Sequence, residues 1–229
     1  LAFIKFRLDW DWAGAEKEFA RAIELNPGST ASQHWYALYL TAMSRQTEAM
    51  REIRRAQELD PLSLIITSAA GRVYHFAGQY DQALEEYRKT FEMDPNYAEA
   101  HFNLGLTYAQ KGMYEAAIAE LQEAIKLSEN RTVMLAVLGH VYSMAGKQTQ
   151  ARSVLEQFNE LSSGCYVSSL EIAIVYTGLG EQDLAFESFE KAYLERAGAL
   201  IYLKVEPLYD SLREEPRFND LLRRLNLEP

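Results

Sequence analysis

Small and apolar residues fall along this chain at helical spacing, and the pattern returns at a fixed interval. Steps of 34 residues from Ala15 land on Ala49, Ala83, Ala117, Ala151 and Ala185. Four residues on from each stand Phe19, Ile53, Tyr87, Leu121, Leu155 and Phe189, all large and apolar or aromatic. Three further on come Ala22, Ala56, Thr90, Ala124, Phe158 and Ala192, small except for Phe158. Upstream in each unit a second series runs through Ala37, Gly71, Gly105, Gly139 and Ala173, with Leu40, Tyr74, Tyr108, Tyr142 and Tyr176 three residues later. Phe6 takes that place in the first, incomplete unit.

Spacings of three, four and seven place side chains on one face of an α-helix. Leu64–Ala77 and Tyr80–Met93 therefore read as helices, separated by Gly78-Gln79, a stop followed by a restart. Each unit is predicted to be two antiparallel helices with a tight turn between them. The small residue of the first helix lets the second approach, and the aromatic fills the space beside it. Asn26-Pro27, Asp60-Pro61 and Asp94-Pro95 close three units, because proline cannot continue a helix and restricts the residue before it. Glu129, Ser163 and Ala197 stand in place of the closing proline in the last three, and the Ser162-Ser163-Gly164 junction is expected to bend differently.

This pattern resembles the tetratricopeptide repeat family, whose period is the same. The resemblance covers residues 1–197, read as six repeats with the first helix of the first one truncated. It implies an all-α fold, a right-handed superhelical solenoid of antiparallel helix pairs. Residues 198–229 do not repeat. They read as helical over Pro207–Arg213 and Pro216–Leu225, with Leu208, Leu212, Phe218, Leu221, Leu222 and Leu225 as apolar anchors. A solenoid needs a terminal cap with a polar outer face, and Arg213, Glu214, Arg217, Arg223 and Arg224 supply it. A C-terminal helical cap is the expected role. The runs DWDWAGAEKEFARAIELNP, HWYALYL and YLKVEPLYDSLREEPRFNDLLRRLNL also look like the C-terminal repeat region of bacterial multidomain signalling proteins, which carry a winged-helix regulator or a protein kinase upstream.

The tetratricopeptide resemblance implies a non-catalytic protein-protein interaction module, a scaffold that takes a peptide or helix in a concave groove lined by the first helix of each unit. The family's geometry maps the groove to His34, Trp35 and Leu38 in the second unit. The third contributes Ile65, Ser68, Arg72, His75 and Phe76. The fourth and fifth contribute Phe102, Asn103, Leu106 and Gln110, then Val133, Val137, His140 and Met144. The sixth gives Leu170, Glu171 and Ile174. The partner-binding residues are expected among His34, Trp35, Leu38, Ser68, Arg72, His75, Phe76, Phe102, Asn103, Gln110, His140 and Met144. Ile65, Leu106 and Val133 read instead as packing between helices. The set is mostly apolar and aromatic, which suits an amphipathic helix or apolar peptide. Alanine at Arg72, His75 and Phe102 together is expected to weaken partner binding. One subclass clamps a chaperone tail's carboxylate with lysines and asparagines. Here His34 and Leu38 hold two of those positions, and only Asn103 and Arg72 are of suitable type.

Composition narrows the function further. The chain has 229 residues, 33 acidic against 23 basic side chains and a formal net charge of −10, so nucleic-acid phosphates would be repelled. No apolar run is long enough to span a membrane, and a cytoplasmic location is expected. One cysteine, Cys165, excludes an internal disulfide. Catalysis finds little purchase. His34, His75 and His140 sit on three different helices, against a shared metal. Gly178-Leu179-Gly180 lacks the strand and third glycine of a dinucleotide fingerprint. Asn130-Arg131-Thr132 is a glycosylation sequon only in form, and Glu85-Glu86 reads as a solvated outer face. No enzyme activity, cofactor or metal is expected. Leu1, Phe3, Ile4 and Phe6 crowd one end of the first unit, and such an end can drive self-association. A second function class is a regulatory or sensor segment of a larger bacterial transcription or signalling protein.

Overall fold

The computed structural model describes residues 1–128, 132–162 and 164–227. Among them are thirteen α-helices and no strand. The helices are α1 (Ala2–Ile4), α2 (Trp12–Leu25), α3 (Thr30–Ala42), α4 (Gln46–Leu59), α5 (Leu64–Phe76), α6 (Tyr80–Met93) and α7 (Ala98–Gln110). They continue with α8 (Tyr114–Leu127), α9 (Thr132–Met144), α10 (Gln148–Leu161), α11 (Ser169–Leu179), α12 (Gln182–Leu194) and α13 (Pro216–Arg224). Short 3₁₀ turns cover Gly198–Tyr202 and Pro207–Leu212. Lys5–Asp9 winds as a π-helical turn straight on from α1.

The turns inside the helix pairs keep the sequence period. The left-handed backbone conformation recurs at Trp10, Ser44, Gly78, Gly112, Gly146 and Gly180, with φ between 55° and 75°. At Gln79, Met113, Lys147 and Glu181 the following N–H reaches back to the carbonyls of Tyr74, Tyr108, Tyr142 and Tyr176. That bond satisfies a carbonyl the ending helix leaves open. In the first unit the bond runs from Asp11 to Lys5, one residue further back than the period sets, because of the π turn. The helices begin on side-chain caps where serine or aspartate allows: Asp11 accepts from Gly14, Ser29 from Ser32, and Ser63 from Ile66.

Contacts divide the chain into two compact units. The first holds residues 1–100, 201–205 and the C-terminal residues from 222. Its core joins Phe6, Phe19 and Tyr39 through ring contacts of 5.5 to 6.4 Å, followed by buried Leu40, Ile53, Val73 and Tyr87. The Trp12 indole N–H donates to the Leu225 carbonyl at 2.8 Å, and Leu225 and Leu227 are buried. Leu1, Phe3, Ile4 and Leu8 remain exposed, whereas Phe6 is fully buried.

The second unit holds residues 101–200 and 206–221. Here Phe189 meets Tyr209 and Tyr209 meets Phe218, at 5.3 and 6.5 Å between centroids. Arg217 lies over the Phe186 ring at 4.3 Å and pairs with Asp183 at 2.8 Å. The junction after α10 differs as the sequence suggests, since α11 starts three residues later than the period would set. It is shorter than α3, α5, α7 and α9 and opens on a capping box between Ser168 and Glu171. Glu129 and Ser163, expected to replace closing prolines, lie outside the described residues.

Contacts assign the non-repeating tail piecewise to the two units. All six of its expected anchors are buried; residues 198–200 and 206–221 belong to the second unit, and residues 201–205 and those from 222 to the first. Its first predicted helix is a 3₁₀ turn, opened by Glu206 accepting from the Leu208 N–H with Pro207 at the start.

Candidate functional site

The first helix of each pair carries the residues singled out for partner binding. In the first unit these are α3 and α5. His34, Leu38, Ser68 and His75 are buried there. His34 and His75 are held neutral: burial, then the positive charge of Arg72, pushes each imidazole down to about 4. Trp35, Arg72 and Phe76 keep partial exposure. Trp35 meets Phe3 edge-on, with centroids 4.7 Å apart. Arg72 and Phe76 stand four residues apart on α5, hence on one face. The ring they share comes from the tail. Tyr202 stacks on Phe76 at 5.4 Å with planes 9° apart, and the Arg72 guanidinium carbon lies 4.5 Å from the Tyr202 centroid.

In the second unit Asn103 and His140 are buried as well. His140 donates from Nδ1 to the Ile174 carbonyl at 3.1 Å, and burial keeps its charged form disfavoured. Gly178 makes this approach possible, because a Cβ there would stand 2.7 Å from the His140 Cα. Phe102 and Gln110 are half-buried and Met144 is 42% exposed. Of the residues set aside as packing, Leu106 is buried, Val133 is half-buried and Ile65 is exposed. Half of the expected binding residues thus point into helix contacts, the rest toward accessible surface. The mapping counts positions along one helix, whereas His140 is covered by α11 of the next pair, at Ile174 and Gly178.

Tyr202 and Arg7 were not singled out by the sequence. Tyr202 lies outside the repeats, and Arg7 lies in the incomplete first unit. Arg7 stands over the Phe3 ring at 5.9 Å. Burial and then Arg72 lower its pKa, while Tyr202 works the other way.

The chemistry weighed from sequence has these placements. Among the described residues no three His, Cys, Asp or Glu side chains gather to hold a metal ion. Gly180 ends α11 in the left-handed conformation, so the Gly178-Leu179-Gly180 run is a helix end. Asn130 and Arg131 of the sequon lie outside the described residues. Cys165 is an exposed free thiol. The paired glutamates need a correction: Glu85 is exposed beside Arg88, but Glu86 is buried. It accepts from Gln57 at 2.7 Å and Lys89 at 2.8 Å, and so ties α4 to α6. No helix among the described residues is long and apolar enough to cross a membrane.

Comparison with family models matches a TPR repeat over residues 71–112 and a tetratricopeptide repeat over residues 98–131. Over residues 71–131 the chain is thus similar to tetratricopeptide repeats. Such repeats generally mediate protein–protein interactions and are typically non-catalytic. The Cut9-Hcn1 hetero-tetramer of the APC/C shares the helical-repeat fold, with a TM-score of 0.67 and 18% identity over 97% of this chain. The present chain spans about half, 48%, of that one. A thermophilic TPR protein of Thermus thermophilus matches with a TM-score of 0.62 and 20% identity, over 80% of this chain and 91% of its own. PilF of Pseudomonas aeruginosa matches with a TM-score of 0.54 and 23% identity, over 86% and 91%. Comparison of the sequence with curated proteins finds no match.

Proposed function

We propose that these tetratricopeptide repeats form a non-catalytic module that binds a peptide or helix of a protein partner on the first helices of the pairs. The observation that carries this reading is the accessible set Phe102, Gln110 and Met144 on α7 and α9. These are apolar or uncharged side chains on the helices the family uses for recognition. Aromatic residues and methionine are enriched at binding surfaces, where aromatic rings bury large area and methionine adapts its shape to the partner. The partner is a protein segment rather than nucleic acid, in keeping with the net charge of −10.

Affinity capture tests the reading. A protein retained by the unaltered chain should be lost with a Phe102→Ala/Met144→Ala variant whose circular dichroism is unchanged. Equal retention by both would count against this surface. A cytoplasmic role as the regulatory repeat region of a longer bacterial signalling protein rests on the resemblance of the first and last sequence runs, and reading the gene upstream tests it. Self-association through exposed Leu1, Phe3, Ile4 and Leu8 is tested by light scattering, where a strict monomer at high concentration would refute it.

A further inference from the structure

Helix α5 of the first unit already holds a peptide-like segment. Residues 201–205 are counted in this unit, while the chain immediately before and after them belongs to the other. Within the segment the Tyr202 ring lies flat on Phe76 and under the Arg72 guanidinium. Ile201 and Leu203 on either side are fully buried. The segment is not part of an α-helix. It leaves a 3₁₀ turn at Tyr202 and folds back through the Val205 N–H to the Tyr202 carbonyl at 2.9 Å. Its receptor side chains are a guanidinium and an aromatic ring, both only partly buried. Arginine and aromatic side chains are the groups that dominate binding hot spots, and cation–π contacts are used in recognition.

Building on the interaction-module reading, we propose that Ile201–Val205 is a built-in ligand. It withholds the Arg72–Phe76 site until an external segment of the same chemistry, an aromatic side chain between two aliphatic ones, replaces it. The arrangement makes the first unit an autoinhibited docking site. An incoming peptide gains no new pocket; it competes for one already filled, so apparent affinity falls by the fraction of time the site stands open.

The test uses the full chain and a labelled synthetic peptide of its own residues 198–206, read by fluorescence anisotropy. Tyr202→Ala should bind the peptide at least tenfold more tightly than the unaltered chain, and Arg72→Ala added to it should remove that gain. Equal binding by the unaltered chain and a folded Tyr202→Ala variant, or none by either, would overturn the proposal. Should Tyr202→Ala lose its helical circular dichroism, amide hydrogen exchange on the unaltered chain decides. Exchange at residues 201–205 should accelerate in excess peptide, and unchanged exchange would overturn the proposal. Lysate capture through Phe102 and Met144 is independent of Tyr202. Partner capture without peptide binding would keep the module and reject the built-in ligand, whereas peptide binding without capture would keep the built-in ligand and reject the Phe102–Met144 surface.

Discussion

Gly71 and Tyr87 meet so closely that a Cβ on the glycine would stand 2.3 Å from Cε1 of the tyrosine ring. Tyr87 is fully buried, so the ring has no room to retreat. At the equivalent position, Gly105 is opposed by Leu121 Cγ at 2.7 Å, while Gly139 meets only valine carbons at 3.2 and 3.3 Å. Overpacking costs about 1–3 kcal/mol, against about 1 kcal/mol that alanine returns as a better helix former. Gly71→Ala is therefore expected to destabilise the fold, and Gly139→Ala to stay near neutral. Urea midpoints of the two variants check this. A Gly71→Ala midpoint at or above that of Gly139→Ala would contradict it.

Ser44 carries φ of 60° at the turn where four later units place glycine. A side chain in the left-handed region costs about 1–2 kcal/mol, and glycine gives back about 0.5–1 kcal/mol through the freer unfolded chain. Ser44→Gly is expected to stabilise by about 0.5–1 kcal/mol. Thermal unfolding of the single variant should rise by a few degrees, and a lowered midpoint would show that the serine makes an offsetting contribution.

Period and turn residues make the helix pairs legible in the sequence. The positions where Gly71 admits Tyr87 and where Gly78 turns the chain are set by local sterics, which the residue types alone declare. The inner-face residues were legible only in part. His34 and His140 share helix positions with accessible side chains, but which neighbour covers them depends on packing that counting cannot supply; Gly178 against His140 is the example. Tyr202 was illegible for a different reason. It lies in the non-repeating tail, and its partners Arg72 and Phe76 stand about 130 residues earlier in the chain, a pairing no local pattern encodes. The same holds for Trp12 and Leu225.

The Trp12 indole bonded to the Leu225 carbonyl fixes the end of the chain on the first unit. Trp12→Phe keeps a large ring and removes the donor. Loss of one such bond costs about 0.5–1.5 kcal/mol, more if the carbonyl is left dry. Global stability is expected to fall by that amount, with a larger local effect: faster amide exchange over residues 222–227 and easier trimming by carboxypeptidase. Exchange there unchanged from the unaltered chain would mean that buried Leu225 and Leu227 hold the tail by themselves.

His34 and His75 make the first unit sensitive to acid. Burial and the nearby Arg72 push both down to about 4, whereas a histidine in the unfolded chain titrates near about 6.5. Between those values the unfolded state binds protons that the folded state refuses, so stability falls as pH falls. Their contribution is complete above pH 6.5 and lost by about pH 4, with a slope of up to about 1.4 kcal/mol per pH unit for each group. Buried His140, lowered by desolvation, adds in the same sense. Glu171 works against it, since burial raises its pKa and protonation favours the folded form. Urea midpoints at pH 7.5, 6 and 5 should drop progressively for the unaltered chain. A His34→Gln/His75→Gln variant, which keeps polar side chains but cannot charge, should show a much shallower drop. Equal slopes in the two proteins would place the acid sensitivity elsewhere, in the carboxylates that Arg45, Arg88 and Lys126 hold below their usual range.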